Sequence, residues 1–219
     1  KQLTGISNKF ILQTPKTVIM DEFKQIICGI DLEKLNEDFK EPVGIGDMST
    51  FLSAVSLIDE PKITIKDRII NISNNVSSIN YLSSDLKSMD NHSYKVIDST
   101  KKVDSVLSFK IKEELQNIKK ASGVFNTFDT LFITKENDNV YLSIGMESSF
   151  NAVSNDYKIK IIEYKDNSEN DFVVKVPLQS FLNIPISEYN VEIKYNKEKN
   201  SYRVYLENDI FEIVLSTIK

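Results

Sequence analysis

The sequence predicts an α+β fold of two similar, β-rich domains, each carrying helices on one face of antiparallel sheets. Three observations predict it. Short runs rich in Ile, Val, Phe and Tyr recur from Lys9 onward, separated by clusters of Asn, Asp, Ser and Gly, the pattern of many short antiparallel strands. Three segments break the two-residue alternation and place apolar residues at helical spacing instead. The order of strands and helices in the first part of the chain then returns in the second.

The strands of the first set are expected at residues 9–13, 17–23, 25–32, 42–46, 62–65, 69–72 and 76–82. Those of the second are expected at 106–111, 130–134, 140–144, 157–164, 172–176, 191–195, 202–206 and 210–215. In 47–58 the residues Met48, Phe51, Leu52, Val55 and Ile58 fall on one side of a helix, with Asp47 available as its N-cap. The other side, Ser49, Ser53 and Ser56, is small and uncharged. In 112–125 the apolar stripe is Leu115, Ile118 and Phe125; Glu113, Gln116 and Lys120 point away, flanked by Lys112 and Lys119. A shorter third helix is expected at 177–183, with Pro177 in its first turn and Leu178, Phe181 and Leu182 apolar.

Residues 83–104 are polar with little periodicity and read as an interdomain connector. The resulting division is an N-terminal domain 1–90, a connector 91–105 and a C-terminal domain 106–219. Strand, short apolar helix and three antiparallel strands follow one another in 42–82 and again in 172–215. Lys119-Lys120-Ala121-Ser122-Gly123-Val124-Phe125 echoes Lys1-Gln2-Leu3-Thr4-Gly5-Ile6-Ser7. In that register the sequence begins inside the opening helix of the first domain, without its first strand; a natural start at Lys1 would leave that domain one strand short.

With 219 residues, 41% hydrophobic and 27% charged, the chain can bury a core and does not have the composition of a disordered protein. No apolar run is long enough to cross a bilayer, and residues 1–8 lack a signal peptide's apolar stretch, so no membrane partner is expected and the chain reads as soluble and intracellular. The single cysteine, Cys28, sits in an apolar run and reads as a small hydrophobe. A formal charge of -5 is unfavourable for phosphate binding over the whole surface, but it does not decide the sign of any one face. Of 27 basic residues only Arg68 and Arg203 are arginines. Lysine suits loose phosphate contact, where arginine fixes geometry. A Lys- and Asn-rich composition is equally what an AT-rich genome produces.

Catalytic chemistry is hard to assemble from these residues. His92 is the only histidine and lies in the connector, which leaves no His-based metal site and no Ser-His-Asp unit elsewhere. Gly44-Ile45-Gly46 lacks the continuation that a phosphate loop requires. The 12 Phe and 9 Tyr fall mostly at strand positions and read as core. We expect no enzyme, no metal and no cofactor.

The stretch from Val43-Gly44-Ile45-Gly46-Asp47-Met48 through Phe51-Leu52 to Leu57 resembles the strand and following helix of DNA polymerase sliding clamps of large tailed bacteriophages, processivity factors of the proliferating cell nuclear antigen type. Glu114-Leu115-Gln116-Asn117-Ile118-Lys119-Lys120-Ala121-Ser122 resembles the first helix of that family's second domain, and Ser187-Glu188-Tyr189-Asn190-Val191-Glu192-Ile193 a late strand. The resemblance covers essentially the whole chain in order. It implies the sliding-clamp fold and a homotrimeric ring around double-stranded DNA, held without sequence specificity. It further implies a clamp loader, a tethered DNA polymerase and the cytoplasm of an infected bacterial host.

On that reading the DNA-facing residues are Lys1, Lys112, Lys119 and Lys120; for each, a solvated helix face is the alternative. Ring closure would pair the strand around 76–82 with 157–164 of the next subunit. Partner tails would enter an apolar pocket of Leu82, Val96, Ile97, Val214 and Leu215, of which the last two also read as plain core. The rival readings are a β-rich phage structural or adaptor protein without DNA contact, and a monomeric polymerase accessory subunit.

Overall fold

The computed structural model of the chain describes residues 2–35, 39, 41–89, 94–146, 156–168 and 170–218. Lys1 and His92 lie outside them. Gln2–Gly5 form a 3-10 turn, followed by β1 (Phe10–Leu12) and a hairpin of β2 (Lys16–Met20) and β3 (Ile26–Asp31). After β4 (Val43–Ile45) and α1 (Met48–Ser56) comes a meander of β5 (Lys62–Lys66), β6 (Ile69–Ser73) and β7 (Ser78–Leu82). A short helix, α2 (Lys95–Lys101), leads into β8 (Ser105–Ile111), α3 (Glu113–Val124), β9 (Thr130–Glu136) and β10 (Asn139–Gly145). Then follow β11 (Tyr157–Ile161), β12 (Tyr164–Asp166), β13 (Phe172–Pro177), α4 (Leu178–Leu182) and a second meander, β14 (Tyr189–Asn196), β15 (Ser201–Glu207) and β16 (Phe211–Ser216).

Each strand expected from alternation is present, with ends shifted by up to a few residues. The segment 157–164 is divided: β11 pairs with β10, while β12 pairs with β8 in a different sheet. Pro177 stands at the N-cap of α4 rather than inside its first turn. Asp67 and Arg68, with φ of 49° and 72°, make the turn between β5 and β6; Asn137 and Asp138, at 47° and 59°, make the one between β9 and β10. Left-handed backbone at both central positions gives the twist that a two-residue hairpin needs.

The two halves repeat one topology. β1 pairs with β4 as β9 pairs with β13, and the β2–β3 hairpin corresponds to β10–β11. α1 follows β4 as α4 follows β13, and each is followed by a three-stranded meander. Two residues beyond each meander, an isolated bridge returns the chain to the strand before the helix, Gly44 to Ser84 in one half and Lys175 to Ile218 in the other. The halves are joined by β3, which pairs with β16 in a seven-stranded sheet of order β12-β8-β14-β15-β16-β3-β2. The hydrophobic core therefore runs from one half into the other.

Alternation along the strands of that sheet separates two faces. Ile26, Cys28 and Ile30 of β3, with Ile213 and Leu215 of β16, enter the main core. α1, α3 and α4 pack into the same core through Met48 and Phe51, Leu115 and Ile118, and Leu178 and Phe181. Ile27, Tyr205 and Val214 point to the other face, where α2 covers them with Ile97. The connector thus contains a helix on the face opposite the other three. Gly29 makes its docking possible, because a Cβ there would stand 2.4 Å from Tyr94 Oη and 2.9 Å from Ile97 Cδ1. About two turns of helix with two apolar contacts are too short to show as periodicity.

Candidate functional site

Two parts of the surface are candidates: the exposed side of the three core helices, and the sheet edges.

On α1, Met48 and Phe51 are buried and Ser49, Ser53 and Ser56 are exposed, as the spacing predicts. Asp47 caps the helix, accepting hydrogen bonds from Thr50 N at 2.9 Å and Thr50 Oγ1 at 2.6 Å. Asn8 donates to Asp47 from Nδ2 and accepts from Ser49 N through Oδ1, both at 2.9 Å, which ties the start of α1 to the segment before β1. These donors hold the Asp47 carboxyl below its ordinary pKa. The serine hydroxyls turn inward on their own helix, Ser53 Oγ donating to Ser49 O at 2.8 Å and Ser56 Oγ to Ser53 O at 2.7 Å. Their donor capacity is already used.

On α3 the lysines differ in their surroundings. Lys120 is exposed, and so are Gln116 and Asn117 beside it. Lys119 is half-buried, its Nζ donates to the Ile184 carbonyl just beyond α4, and burial lowers the pKa of its ammonium group. It ties α3 to the end of α4 rather than pointing freely outward. Lys112 precedes the helix, is exposed, and lies 3.9 Å from Glu188, which is also 3.9 Å from Lys110. Lys1 lies outside the described residues. The helix side is therefore mostly uncharged, with Lys120 as its clearest outward cation and Glu113, at the start of α3, as an exposed anion among the described residues.

The residues expected to line a partner pocket do not share one surface. Ile97 and Val214 are packed together with Val96 at their margin. Leu215, their neighbour in sequence, points into the main core, because adjacent strand residues face opposite sides. Leu82 is exposed at the end of β7, on another sheet. Among the described residues no group of three or more His, Cys, Asp or Glu side chains is placed to hold a metal ion.

Among the described residues, the strand edges left unpaired within the chain include those of β7 and β11. β7 closes the sheet β5-β6-β7, and β11 closes the sheet β11-β10-β9-β13. β7 carries neither charge nor proline; Ile79 and Tyr81 point inward, while Ser78, Asn80 and Leu82 point out. Tyr81 packs edge-on against Phe51, centroids 5.2 Å apart, and donates to Asp47 O at 3.0 Å, so the edge strand is anchored to α1. In β11 the half-buried Tyr157 and Ile159 and the buried Ile161 alternate with exposed Lys158 and Lys160. By topology β7 is the counterpart of β16 and β11 of β3, the two strands that pair across the middle of the chain. This correspondence was legible in the sequence only as an internal repeat.

Comparison with known proteins places the fold. No family model matches the sequence, and no curated protein matches it at a significant level. Solved structures do match. A proliferating cell nuclear antigen from Entamoeba histolytica aligns with a TM-score of 0.66 at 12% identity, over 100% of this chain and 92% of that one. The Sulfolobus tokodaii PCNA2–PCNA3 complex gives a TM-score of 0.66 at 10% identity, over 99% and 92%. The Helicobacter pylori β clamp gives 0.63 at 13% identity, over 100% of this chain and 61% of the clamp, so the chain spans about three fifths of that protein's length. The same clamp bound to a DNA ligase peptide aligns with a TM-score of 0.57 at 12% identity, over 100% and 62%. The chain has the sliding-clamp fold.

Proposed function

We propose that this chain is the subunit of a DNA sliding clamp of the tailed-phage type, a non-enzymatic ring that surrounds duplex DNA and tethers a polymerase. One observation carries the reading. The sheet that crosses the middle of the chain through β3 and β16 is interrupted at the equivalent positions, where β7 and β11 stand as unpaired edges. A β7 edge of one copy and a β11 edge of the next would repeat the pairing that the chain already makes with itself. Such a contact is head to tail, and it must close into a ring or continue as a filament. With two repeats per chain, corresponding to residues 1–90 and 106–219 around the connector 91–105, three copies make a ring of six similar units.

In that ring α1, α3 and α4 face the hole. Their largely uncharged surface suits sliding: topological linkage retains the DNA, and few phosphate contacts hold it in place. A clamp loader and the host cytoplasm follow from the same reading. The solved pairing of PCNA2 with PCNA3 and the ligase peptide on the bacterial clamp are the precedents for subunit contact and for partner tails.

The test is assembly with topological retention. Light scattering over a concentration series should pass from monomer to trimer, and loaded protein should stay on circular duplex but leave a linearised one. A monomer at every concentration would sink the ring. A trimer with no retention on circular DNA would favour the adaptor reading.

A further inference from the structure

The two halves of the chain share a topology but differ in how the last strand of each meander is tied to the helix before it. β16, whose edge is paired with β3 inside the chain, enters the main core through Leu215, a wholly buried apolar side chain. That residue lies three positions before the bridge at Ile218; three positions before the matching bridge at Ser84 stands Tyr81 of β7. Its ring packs against Phe51, and its hydroxyl donates to Asp47 O, an oxygen that also accepts the Phe51 N–H at 3.0 Å. The half with the open edge thus has a polar tie where the half with the occupied edge has an apolar contact.

The starts of the two helices differ in the same way. Their backbones are held alike, Met48 N donating to Asn8 O at 2.8 Å and Leu178 N to Asp129 O at 2.7 Å. Pro177, the N-cap of α4, has no polar side chain with which to cap it. At α1 the Asp47 carboxylate accepts from Asn8 Nδ2 and Thr50 N, while Asn8 Oδ1 accepts from Ser49 N at 2.9 Å and Ser49 Oγ at 3.0 Å. Asp47 therefore joins two contacts, its side chain holding the segment before β1 and its carbonyl holding the open edge strand. The end strand of a three-stranded sheet is exposed to fraying. Fixing it in its paired conformation removes part of the ordering cost of a later contact.

We propose that Asn8, Asp47 and Tyr81 form a latch that holds the β7 edge ready for a second copy of the chain and couples that contact to the start of α1 on the helix side. The inference rests on the reading of β7 as a subunit edge and deepens it. Tyr81 is turned inward on its sheet and acts as a positioning residue for the strand that makes the contact. Whatever tightens the start of α1 then tightens the subunit contact, and by linkage the subunit contact tightens the start of α1 by the same factor. Binding on the helix side can thereby alter ring closure without reaching the edge itself.

Two measurements on the full chain test it. Tyr81→Phe keeps the ring against Phe51 and leaves Asp47 O with its helical partner, so the variant should fold, with a melting temperature within about 3 °C of the parent. In dilute, monomeric protein, amide exchange at the β7 positions bonded to β6 should rise about fivefold in Tyr81→Phe, and also in Asn8→Ala, which touches Asp47 and Ser49 but not β7. Exchange in α4 should not change. In sedimentation over a concentration series, Tyr81→Phe should raise the concentration for half-assembly about fivefold. Assembly should slow exchange of the Ser49 and Thr50 amides in the parent and do so less in Tyr81→Phe. Unchanged β7 exchange in Asn8→Ala overturns the coupling. Unchanged half-assembly in Tyr81→Phe overturns the latch, as does a loss of melting temperature large enough to account for the whole shift, which would make Tyr81 a support for the core alone. A parent chain that stays monomeric at every concentration overturns the subunit edge itself, a failure that the exchange measurement tells apart because it does not depend on assembly.

Discussion

Lysines adjacent in sequence can have opposite roles, and α3 is the example. Lys120 projects into solvent, whereas Lys119 gives its charge to a carbonyl at the end of α4. The expected shared role on a DNA-facing surface therefore divides. Lys120→Glu should shorten retention on circular duplex while leaving thermal stability within about 0.5 kcal/mol, the usual range for an exposed position. Lys119→Met should do the reverse, lowering stability by about 1 kcal/mol through the carbonyl left unpaired. Retention half-life and thermal melting, measured on both variants, separate the two roles. Equal loss of retention in both at unchanged stability would return Lys119 to the DNA side. Cys28 behaves as its apolar neighbourhood implies: it is wholly buried, and burial pushes its thiol pKa up.

At the scale of elements, two short helices depend on single residues for their placement. The Asp47 cap is formed by the ionised carboxylate, and its folded pKa is depressed below the ordinary 3.8. A depressed value means that the cap's contribution is complete above the unfolded-state pKa and is lost as pH falls through the folded one. Asp47→Asn should therefore lower the melting temperature by a roughly constant amount between about pH 5 and pH 7, and by less below about pH 4. A pH-independent difference would show that the carboxylate charge is not what matters. For α2 the controlling residue is Gly29. Gly29→Ala pushes a methyl group against Tyr94 and Ile97, and overpacking of this kind costs about 1 kcal/mol or more. The expected result is about fivefold faster amide exchange in residues 95–101, with the rest of the sheet protected. Exchange that rises equally throughout the sheet would mean that α2 is not a separately docked element.

For the whole molecule, the decisive property is what the unpaired edges do. β7 has no charge or proline to discourage pairing, and its outward residues Ser78 and Asn80 would stand alongside Lys158 and Lys160 of a pairing β11. Ser78→Lys with Asn80→Lys sets like charges across that contact, each directly opposed pair opposing it by up to about 1 kcal/mol. The concentration for half-assembly should rise roughly tenfold or more. Combining that variant with Lys158→Glu and Lys160→Glu should restore assembly, because the charges become opposite. Sedimentation of the single and combined variants reads the outcome. Failure of the charge swap to rescue would place the contact on other edges.

The sequence by itself determined the elements and their order. Alternation marked the strands, the apolar stripes of 47–58 and 112–125 marked α1 and α3, and the repeated order predicted two like halves, because burial of one face leaves a period that can be counted. It also located Asp47 as a cap, since capping acts within four residues of chain. Only the tertiary structure decided which exposed groups are free. The Ile184 carbonyl that holds Lys119, the Thr100 hydroxyl that fixes one edge of Arg203, and the Glu212 that neutralises Lys101 are all distant in sequence, and no local period encodes such meetings. The same reason hid α2, whose placement depends on Gly29 being too small to exclude it. It also hid the division of 157–164, where one apolar run serves two sheets because the pairing partners, not the strand's own residues, set where each ladder ends.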